Sequence, residues 1–236
     1  LPTYNEAENI EDVLRLVREV VPEAGVLVVD DGSPDGTADL ADRLGDELGQ
    51  IEVVRRTSKD GLGAAYRAGL RHAIEQGAEI CVQMDADLSH DPAVLPALVS
   101  IVEHGADVAI GSRYVPGGST PGWPVHRRML SKYGNRYTAG VLQLGIKDAT
   151  GGFRAYRAST LEAIDIDSTR ANGYAFQSEV ALRMAQAGLR LEEIPITFVD
   201  REYGTSKMSV KIMAESMARV TTWGIRRRLG RPATTP

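Results

Sequence analysis

Ile80-Cys81-Val82-Gln83-Met84-Asp85-Ala86-Asp87-Leu88-Ser89-His90 begins as an apolar run and closes on two carboxylates one residue apart. A short run of this kind reads as a β-strand, and the pair then stands at its C-terminal end. Two hard oxygen donors so placed can bind a divalent cation, which in turn can hold a diphosphate. Taken alone, an Asp-x-Asp tripeptide is an ordinary turn pattern, because Asp is a favoured turn residue. Its meaning comes from what surrounds it.

Upstream, strands and helices alternate. Residues 8–21 carry Ile10, Val13, Leu14, Val17 and Val21 on one helical face. Val26-Leu27-Val28-Val29 is a continuous apolar strand of the kind buried on both faces of a parallel sheet. Residues 37–48 read as a helix, 51–54 as a strand, 63–76 as a helix and 80–84 as the strand above. Residues 92–103 follow as a helix with Pro at its first turn, and 107–110 as another strand. This order predicts right-handed crossovers and an open parallel sheet. Ligands of such sheets bind beyond the C-terminal strand ends. Asp30-Asp31, Asp85-Ala86-Asp87 and Gly111-Ser112-Arg113 all fall there.

The second half is less regular. Residues 114–125, rich in Gly and Pro, read as a loop; 127–144 and 176–187 read as helices. Residues 191–199 read as a strand, with Pro195 suggesting a sheet edge. Residues 209–228 form an amphipathic pattern, in which Trp223 and Ile225 stand among Lys211, Arg219 and Arg226-Arg227-Arg228. A basic amphipathic helix with a Trp suits an anionic bilayer interface, and a core-packing terminal helix weighs equally. With no repeat or linker, one domain is expected over 1–236. It divides into a nucleotide-binding half (1–112), an acceptor-binding half (113–208) and a membrane-proximal tail (209–236).

With 43% hydrophobic and 25% charged residues the chain has a globular composition. A net charge of −5 argues against nucleic acid as a partner, which needs a basic face. Cys81 is the single cysteine, so no intrachain disulfide exists; its strand position reads as an inert core thiol in a reducing compartment. No apolar run approaches the roughly 20 residues that span a bilayer, and no basic-then-apolar leader is visible. Leu1-Pro2-Thr3-Tyr4-Asn5-Glu6 reads as the tail of a strand entering a helix, so residues upstream of it are expected.

Asp30-Asp31-Gly32-Ser33-Pro34-Asp35-Gly36-Thr37 leaves a strand and opens a helix that Thr37 can N-cap. An Asp there can accept hydrogen bonds from a base or ribose, although an ordinary turn has the same composition. Neither G-x-G-x-x-G nor G-x-x-x-x-G-K-[ST] occurs, which disfavours dehydrogenase and P-loop readings. Without a cradle of backbone amides, Asp85, Asp87 and Ser89 are candidate oxygen ligands for Mg²⁺ or Mn²⁺. Arg113, Arg127 and Arg128 beside Ser131, and Arg201 and Lys207 around Glu202-Tyr203-Gly204-Thr205-Ser206, are candidate phosphate-binding cations, each also compatible with a solvated surface charge. His90 reads as an exposed turn residue. Asp148 is the nearest candidate for a base, and equally a cap or turn.

Leu1-Pro2-Thr3-Tyr4-Asn5-Glu6, Val29-Asp30-Asp31-Gly32-Ser33-Pro34-Asp35-Gly36-Thr37 and Met84-Asp85-Ala86-Asp87-Leu88-Ser89-His90 together resemble family 2 glycosyltransferases of the GT-A fold. Later segments narrow the resemblance to the dolichol-phosphate (polyprenol-phosphate) mannose synthases of that family. These are Gly111-Ser112-Arg113-Tyr114, Thr150-Gly151-Gly152-Phe153-Arg154-Ala155-Tyr156-Arg157, Gly173-Tyr174-x-Phe176-Gln177 and residues 193–207. The resemblance covers nearly the whole chain. It implies an α/β GT-A (Rossmann-like) fold, with a mostly parallel central sheet flanked by helices and a C-terminal amphipathic helix.

The resemblance also implies roles. Pro2, Tyr4, Glu6, Val29 and Asp31 would line the nucleotide pocket for GDP-mannose. Asp85 and Ala86 would flank the diphosphate, and Asp87 and Ser89, with Asp85, would make the metal site. Ser89 stands where some relatives carry Gln, which leaves its direct contact with metal open. Arg113, Arg201 and Lys207 would bridge the donor phosphates and the lipid phosphate, helped by Arg127 and Ser131. Asp85, Asp87, Arg113, Arg201 and Lys207 are thus the expected catalytic set of a metal-dependent glycosyltransferase. The implied reaction is inverting transfer of mannose to dolichyl or polyprenyl phosphate. It would take place peripherally on the cytoplasmic face of a membrane, with a separate membrane-anchoring protein as a compatible partner. A UDP-hexose-dependent enzyme acting on polyprenyl phosphate is the alternative within enzymes. A non-catalytic nucleotide-sugar-binding module is the alternative outside them.

Overall fold

The computed structural model of the protein describes residues 1–58, 60–200 and 210–230. Parallel strands β1 (Pro2–Thr3), β2 (Val26–Asp30) and β3 (Ile51–Arg55) pair in the order β1-β2-β3, with Pro2 opposite Val29 and Val26 opposite Ile51. Between and after them run α1 (Ile10–Val20), α2 (Thr37–Leu48) and α3 (Leu62–Glu75). A second sheet has the order β4-β6-β5-β7, from β4 (Ile80–Gln83), β5 (Val108–Ser112), β6 (Arg154–Arg157) and β7 (Leu191–Pro195). The remaining helices are α4 (Leu95–Glu103), α5 (Val125–Leu142), α6 (Ala158–Ala163), α7 (Tyr174–Gln186) and α8 (Val210–Arg228).

Hydrophobic burial explains the layering. The apolar face of α1 (Ile10, Val13, Leu14, Val17) joins Ala41 and Leu44 of α2 and Leu98 and Val102 of α4. These cover one face of both sheets through Val26, Val28, Ala109 and Ala155. On the other side Tyr66 and Leu70 of α3 pack with Phe176, Val180 and Leu182 of α7 and with Val220 and Trp223 of α8. Both faces are therefore covered, as the continuous apolar strands require. Cys81 lies in this core, and burial pushes its thiol up to about 11, so it stays protonated and inert.

The architecture is α/β with a mostly parallel sheet, yet three local expectations change. Strand–helix alternation predicts an open parallel sheet. Instead β6, which follows α5, inserts between β4 and β5 antiparallel to both. Pro92–Val94 is a separate 3₁₀ turn before α4, capped by the Asp91 carboxylate accepting from Ala93 N at 2.9 Å. Asp35, not Thr37, caps α2: its carboxylate accepts from the Thr37 amide at 3.1 Å and hydroxyl at 2.6 Å. Pro195, by contrast, ends an edge strand as its missing N–H demands.

α8 packs as a core helix. Val220 and Trp223 are buried, Arg227 donates to the Leu142 carbonyl, and Gly224 lies against α5 so closely that an added Cβ would sit 2.3 Å from Val141 Cγ1. Gly224→Val should therefore cost about 1–3 kcal/mol by overpacking. The measurement is a lowered thermal midpoint with helical content retained. The apolar side chains that remain exposed cluster on α5 instead: Val125, Met129, Leu130, Tyr133 and Tyr137. Ile225 and Leu229 of the α8 end are exposed too. Among the described residues no helix is long and apolar enough to cross a membrane.

Candidate active site

β4 delivers Asp85 and Asp87 just past its C-terminal end, and a set of buried partners fixes them. The Tyr66 hydroxyl donates to Asp85 Oδ1 at 2.8 Å, and Tyr66 is itself stacked on Phe176. Burial and the adjacent Asp85 push the Tyr66 hydroxyl well above its ordinary value, so it remains a donor. The Asp85 amide donates to His90 Nδ1 at 3.1 Å. Asp87 Oδ1 accepts from the Ser89 amide at 3.1 Å and hydroxyl at 2.5 Å across a turn in which Leu88 adopts φ 59°. In this arrangement Ser89 holds Asp87. Ala86 points into the apolar core.

His90 corrects the sequence reading. It is buried, stacked on Phe153 with ring centroids 4.9 Å apart and edge-on to Phe198 at 5.4 Å. Burial lowers its pKa, leaving a neutral ring whose Nδ1 accepts the Asp85 amide. Its exposed-turn expectation failed because the ring's partners lie at positions 153 and 198, far off in sequence.

The wall opposite is the loop 148–153. Gly152 lies against the Asp85 carboxylate, with the nearest oxygen 3.7 Å from where a Cβ would stand. Gln83 Nε2 holds the Gly152 carbonyl at 2.8 Å and Gln177 Oε1 at 2.9 Å. Arg154, fully buried, donates to the carbonyls of Gly151, Ala149 and Gln177 and so clamps the loop from below. Asp148 sits inside it, accepting from Gly151 N at 3.0 Å, from the Arg113 amide at 3.0 Å and from the Arg113 guanidinium in a two-pronged pair at 2.7 Å each. Burial alone would raise the Asp148 carboxyl, but the Arg113 charge and these hydrogen bonds outweigh it and hold the carboxyl below its usual range. Asp148 is thus the counter-ion of Arg113, not a base.

Arg113 follows β5 and is boxed in. Beyond Asp148 it donates to Thr150 Oγ1 at 3.0 Å, and its guanidinium lies 5.2–6.0 Å from the ring centres of Tyr114, Phe198 and Trp123. Tyr114 donates to Ser131 Oγ at 2.5 Å, and Asn135 links α5 to the Thr150 amide at 3.1 Å. Arg127 lies 4.0 Å over Trp123, and both donate to Asp200. Arg113, Ser131 and Arg127 therefore gather on one side of the loop. Arg201 and Lys207 lie outside the described residues.

The nucleotide-side expectations fall at the ends of β1 and β2. Asp30 is consumed by the turn, accepting from Thr3 Oγ1 and from the Ser33 amide and hydroxyl. Asp31 is ion-paired with Arg56; burial pushes its carboxyl up and Arg56 opposes that shift. Pro2 and Val29 are paired across the two strands, and the Val29 side chain lies under Gly69 of α3. Glu6 accepts from Asn9 at 2.8 Å, its amide donates to Thr37 Oγ1 at 3.0 Å, and Tyr4 stands beside it half-buried.

Among the described residues no three His, Cys, Asp or Glu side chains surround a metal position. The donor set is two carboxylates one residue apart. That fits Mg²⁺ or Mn²⁺ held by one or two carboxylates with the remaining sites taken by substrate phosphate and water, and it does not fit an all-protein cage.

Residues 1–165 match the family model described as Glycosyl transferase family 2. The chain belongs to that family. Among its curated relatives, the undecaprenyl-phosphate mannosyltransferase of Micrococcus luteus is 50% identical over 95% of this chain and 92% of its own length. The polyprenol monophosphomannose synthase of Mycolicibacterium smegmatis is 48% identical over 98% of this chain and 88% of its own. In this family 2 glycosyltransferase the loop 148–153 thus has carboxylates on one side and cations on the other. Among solved structures, glucosyl-3-phosphoglycerate synthase of Mycobacterium tuberculosis, in complex with Mn²⁺, UDP-glucose and phosphoglyceric acid, superimposes with a TM-score of 0.67. At 19% identity, covering 98% of this chain and 78% of that one, the likeness is one of fold. Tyr66, Gln83, His90, Asn135 and Gln177 were not singled out from the sequence as site-builders; only long-range packing assigns them that role.

Proposed function

We propose that this family 2 glycosyltransferase transfers mannose from GDP-mannose to the phosphate of a polyprenol, with inversion at the anomeric carbon. The observation that carries the reading is the pairing of two anion-handling walls across the loop 148–153. Asp85 and Asp87 stand on one side and Arg113, Arg127 and Ser131 on the other. Half-identity to two relatives named for polyprenyl-phosphate mannose chemistry supports the choice of sugar and acceptor. A Mg²⁺ or Mn²⁺ held by Asp85 and Asp87 would neutralise charge on the departing diphosphate.

The acceptor needs no protein base. A phosphate monoester has a second pKa of about 6 and is already an anion at neutral pH. Its oxygen attacks the anomeric carbon as the bond from that carbon to the diphosphate breaks, and the electron pair leaves on the nucleoside diphosphate. Asp148, locked to Arg113, has no proton to take in this scheme. Arg113, preset by Asp148 and the surrounding rings, orients the incoming phosphate, and Arg127 and Ser131 stand at its entry. Arg201 and Lys207 are proposed to complete this cation set.

A polyprenol is reached at a bilayer surface. The exposed stripe Val125, Met129, Tyr133 recurs every fourth residue along α5, interleaved with Arg128, Lys132 and Arg136, and it starts beside Arg127 and Ser131. This pattern suits an interfacial helix, so α5 rather than α8 is proposed as the main membrane-facing element. The test is incubation of the protein with detergent-dispersed polyprenyl phosphate and labelled GDP-mannose, UDP-glucose and UDP-mannose, with Mg²⁺, Mn²⁺ or chelator. Lipid-linked mannose formed only from GDP-mannose and only with metal is the expected result. Transfer from a UDP-sugar in its place would overturn the donor assignment.

A further inference from the structure

A second anion-handling feature lies away from this site. α7, α8 and the segment 169–172 enclose a groove of about 410 Å³, lined by Arg170, Arg219, Arg226, Thr222, Trp223 and Glu179 together with small residues. None of these residues belongs to the donor or acceptor walls. Arg219 and Arg226 are seven residues apart, which places them on one side of α8 about 10 Å apart along its axis, with Thr222 between them. Arg170 faces them from the opposite wall. Trp223, with its ring buried, forms part of the lining.

Among the described residues the charge balance of the groove is positive. The one acid of that lining, Glu179, is buried and already committed: Oε1 accepts from Arg183 at 2.9 Å, and Oε2 accepts from the amides of Arg170 and Ala171 at 3.0 and 2.7 Å. Among the described residues the Arg170 and Arg219 guanidinium groups form no ion pair, and Glu179 pairs with Arg183. Guanidinium forks converging on a concave site match the geometry of phosphate oxygens. Ile225 of α8 and Leu229 just beyond it are exposed, and α5 with its apolar stripe packs along the helix, Tyr137 meeting Thr221 at 2.9 Å. Thr221 and Gly224 face α5 on one side of α8 while Arg219, Thr222 and Arg226 line the groove on its other side, so α8 alone stands between the groove and the helix proposed above to lie on a bilayer.

We propose that this groove binds the phosphate of an anionic phospholipid headgroup, an inference that rests on the membrane reading of α5. The lipid would seat the enzyme at a fixed depth and rotation, with the acceptor side of the loop 148–153 turned toward the bilayer.

The test is co-flotation of the full chain with phosphatidylcholine vesicles and with vesicles in which one third of the lipid is phosphatidylglycerol. The wild-type protein should prefer the anionic vesicles. Arg170→Gln with Arg219→Gln should reduce that preference by more than the roughly 5-fold per charge that a diffuse surface attraction gives. Ala218→Gln removes no charge and only fills the groove; it should reduce the preference about as far. Preference retained in Ala218→Gln would overturn the groove while leaving the membrane reading intact. Undiminished flotation of Met129→Glu with Tyr133→Glu would overturn the α5 reading instead, and a wild-type protein that floats with neither vesicle would overturn both. Trp223 fluorescence that saturates in millimolar inorganic phosphate while the vesicle preference stays unchanged would make a free anion the occupant and overturn the lipid assignment.

Discussion

Asp87→Asn is expected to lower kcat/KM for sugar transfer about 10³-fold, because removing one charge from the carboxylate pair forfeits several kcal/mol of stabilisation on the leaving diphosphate. The substitution is isosteric, and an amide oxygen can still accept from the Ser89 amide and hydroxyl as Asp87 Oδ1 does now. The turn through Leu88 should therefore survive, and the thermal midpoint should stay within a few degrees of the parent. Mn²⁺ titration followed by electron paramagnetic resonance supplies a readout independent of turnover. The variant should leave most of the Mn²⁺ in the free spectrum at concentrations where the parent, with nucleotide, removes it. Parental affinity together with parental turnover would take Asp87 out of the metal site.

The second large effect falls on stability. Asp148 is fully buried and takes four hydrogen bonds, three of them from Arg113. Asp148→Ala should cost about 3–5 kcal/mol, the usual result of removing one partner of a buried ion pair. It should also lower turnover, since Arg113 would no longer be held toward the loop. Calorimetry and the transfer assay measure the two losses. The pair also sets a pH dependence. The Asp148 carboxyl is held below its unfolded value of about 3.9, so its contribution is complete above that pH and is lost as pH falls through the lowered folded value. Acid unfolding of the parent should accordingly be steeper below pH ~4 than that of Asp148→Asn. Matching acid limbs for the two proteins would show that the ion pair does not carry this stability.

What the sequence made legible was whatever local chemistry determines. Strands 26–29, 80–84 and 107–110 announce themselves as apolar runs between covering helices, and 51–54, a half-exposed edge strand, through Ile51, Val53 and Val54. The carboxylates and Arg113 at their C-terminal ends follow from sheet architecture. β6 escaped because Arg154-Ala155-Tyr156-Arg157 has no apolar run; its Arg154 is buried through three backbone carbonyls that only the folded loop brings together. His90 was misread for the same reason; for Asp148 the turn reading holds through its bond from the Gly151 amide, while its pairing with Arg113 was not visible. A buried imidazole between Phe153 and Phe198, or a carboxylate facing Arg113 across 35 residues, is decided by tertiary partners. α8 carries the basic amphipathic pattern of a membrane helix, yet the close approach of Gly224 to Val141 makes it a packing helix. The exposed stripe is on α5, where its polar neighbours obscure it.

The division of the strands into two hydrogen-bonded sets bears on how this enzyme can diverge. Asp31 and its partner Arg56 stand at the ends of β2 and β3, whereas Asp85, Arg113 and Asp148 lie at the ends of β4 and β5 and on the segment that leads from α5 into β6. Under the proposed assignment, base recognition and glycosyl transfer would reside on strand sets that share a hydrophobic layer but no strand ladder. Substitutions around Asp31 and Arg56 can retune which nucleotide is carried without disturbing the register that aligns carboxylates with arginines, and a donor-swapping selection confined to residues 1–58 tests that separability directly.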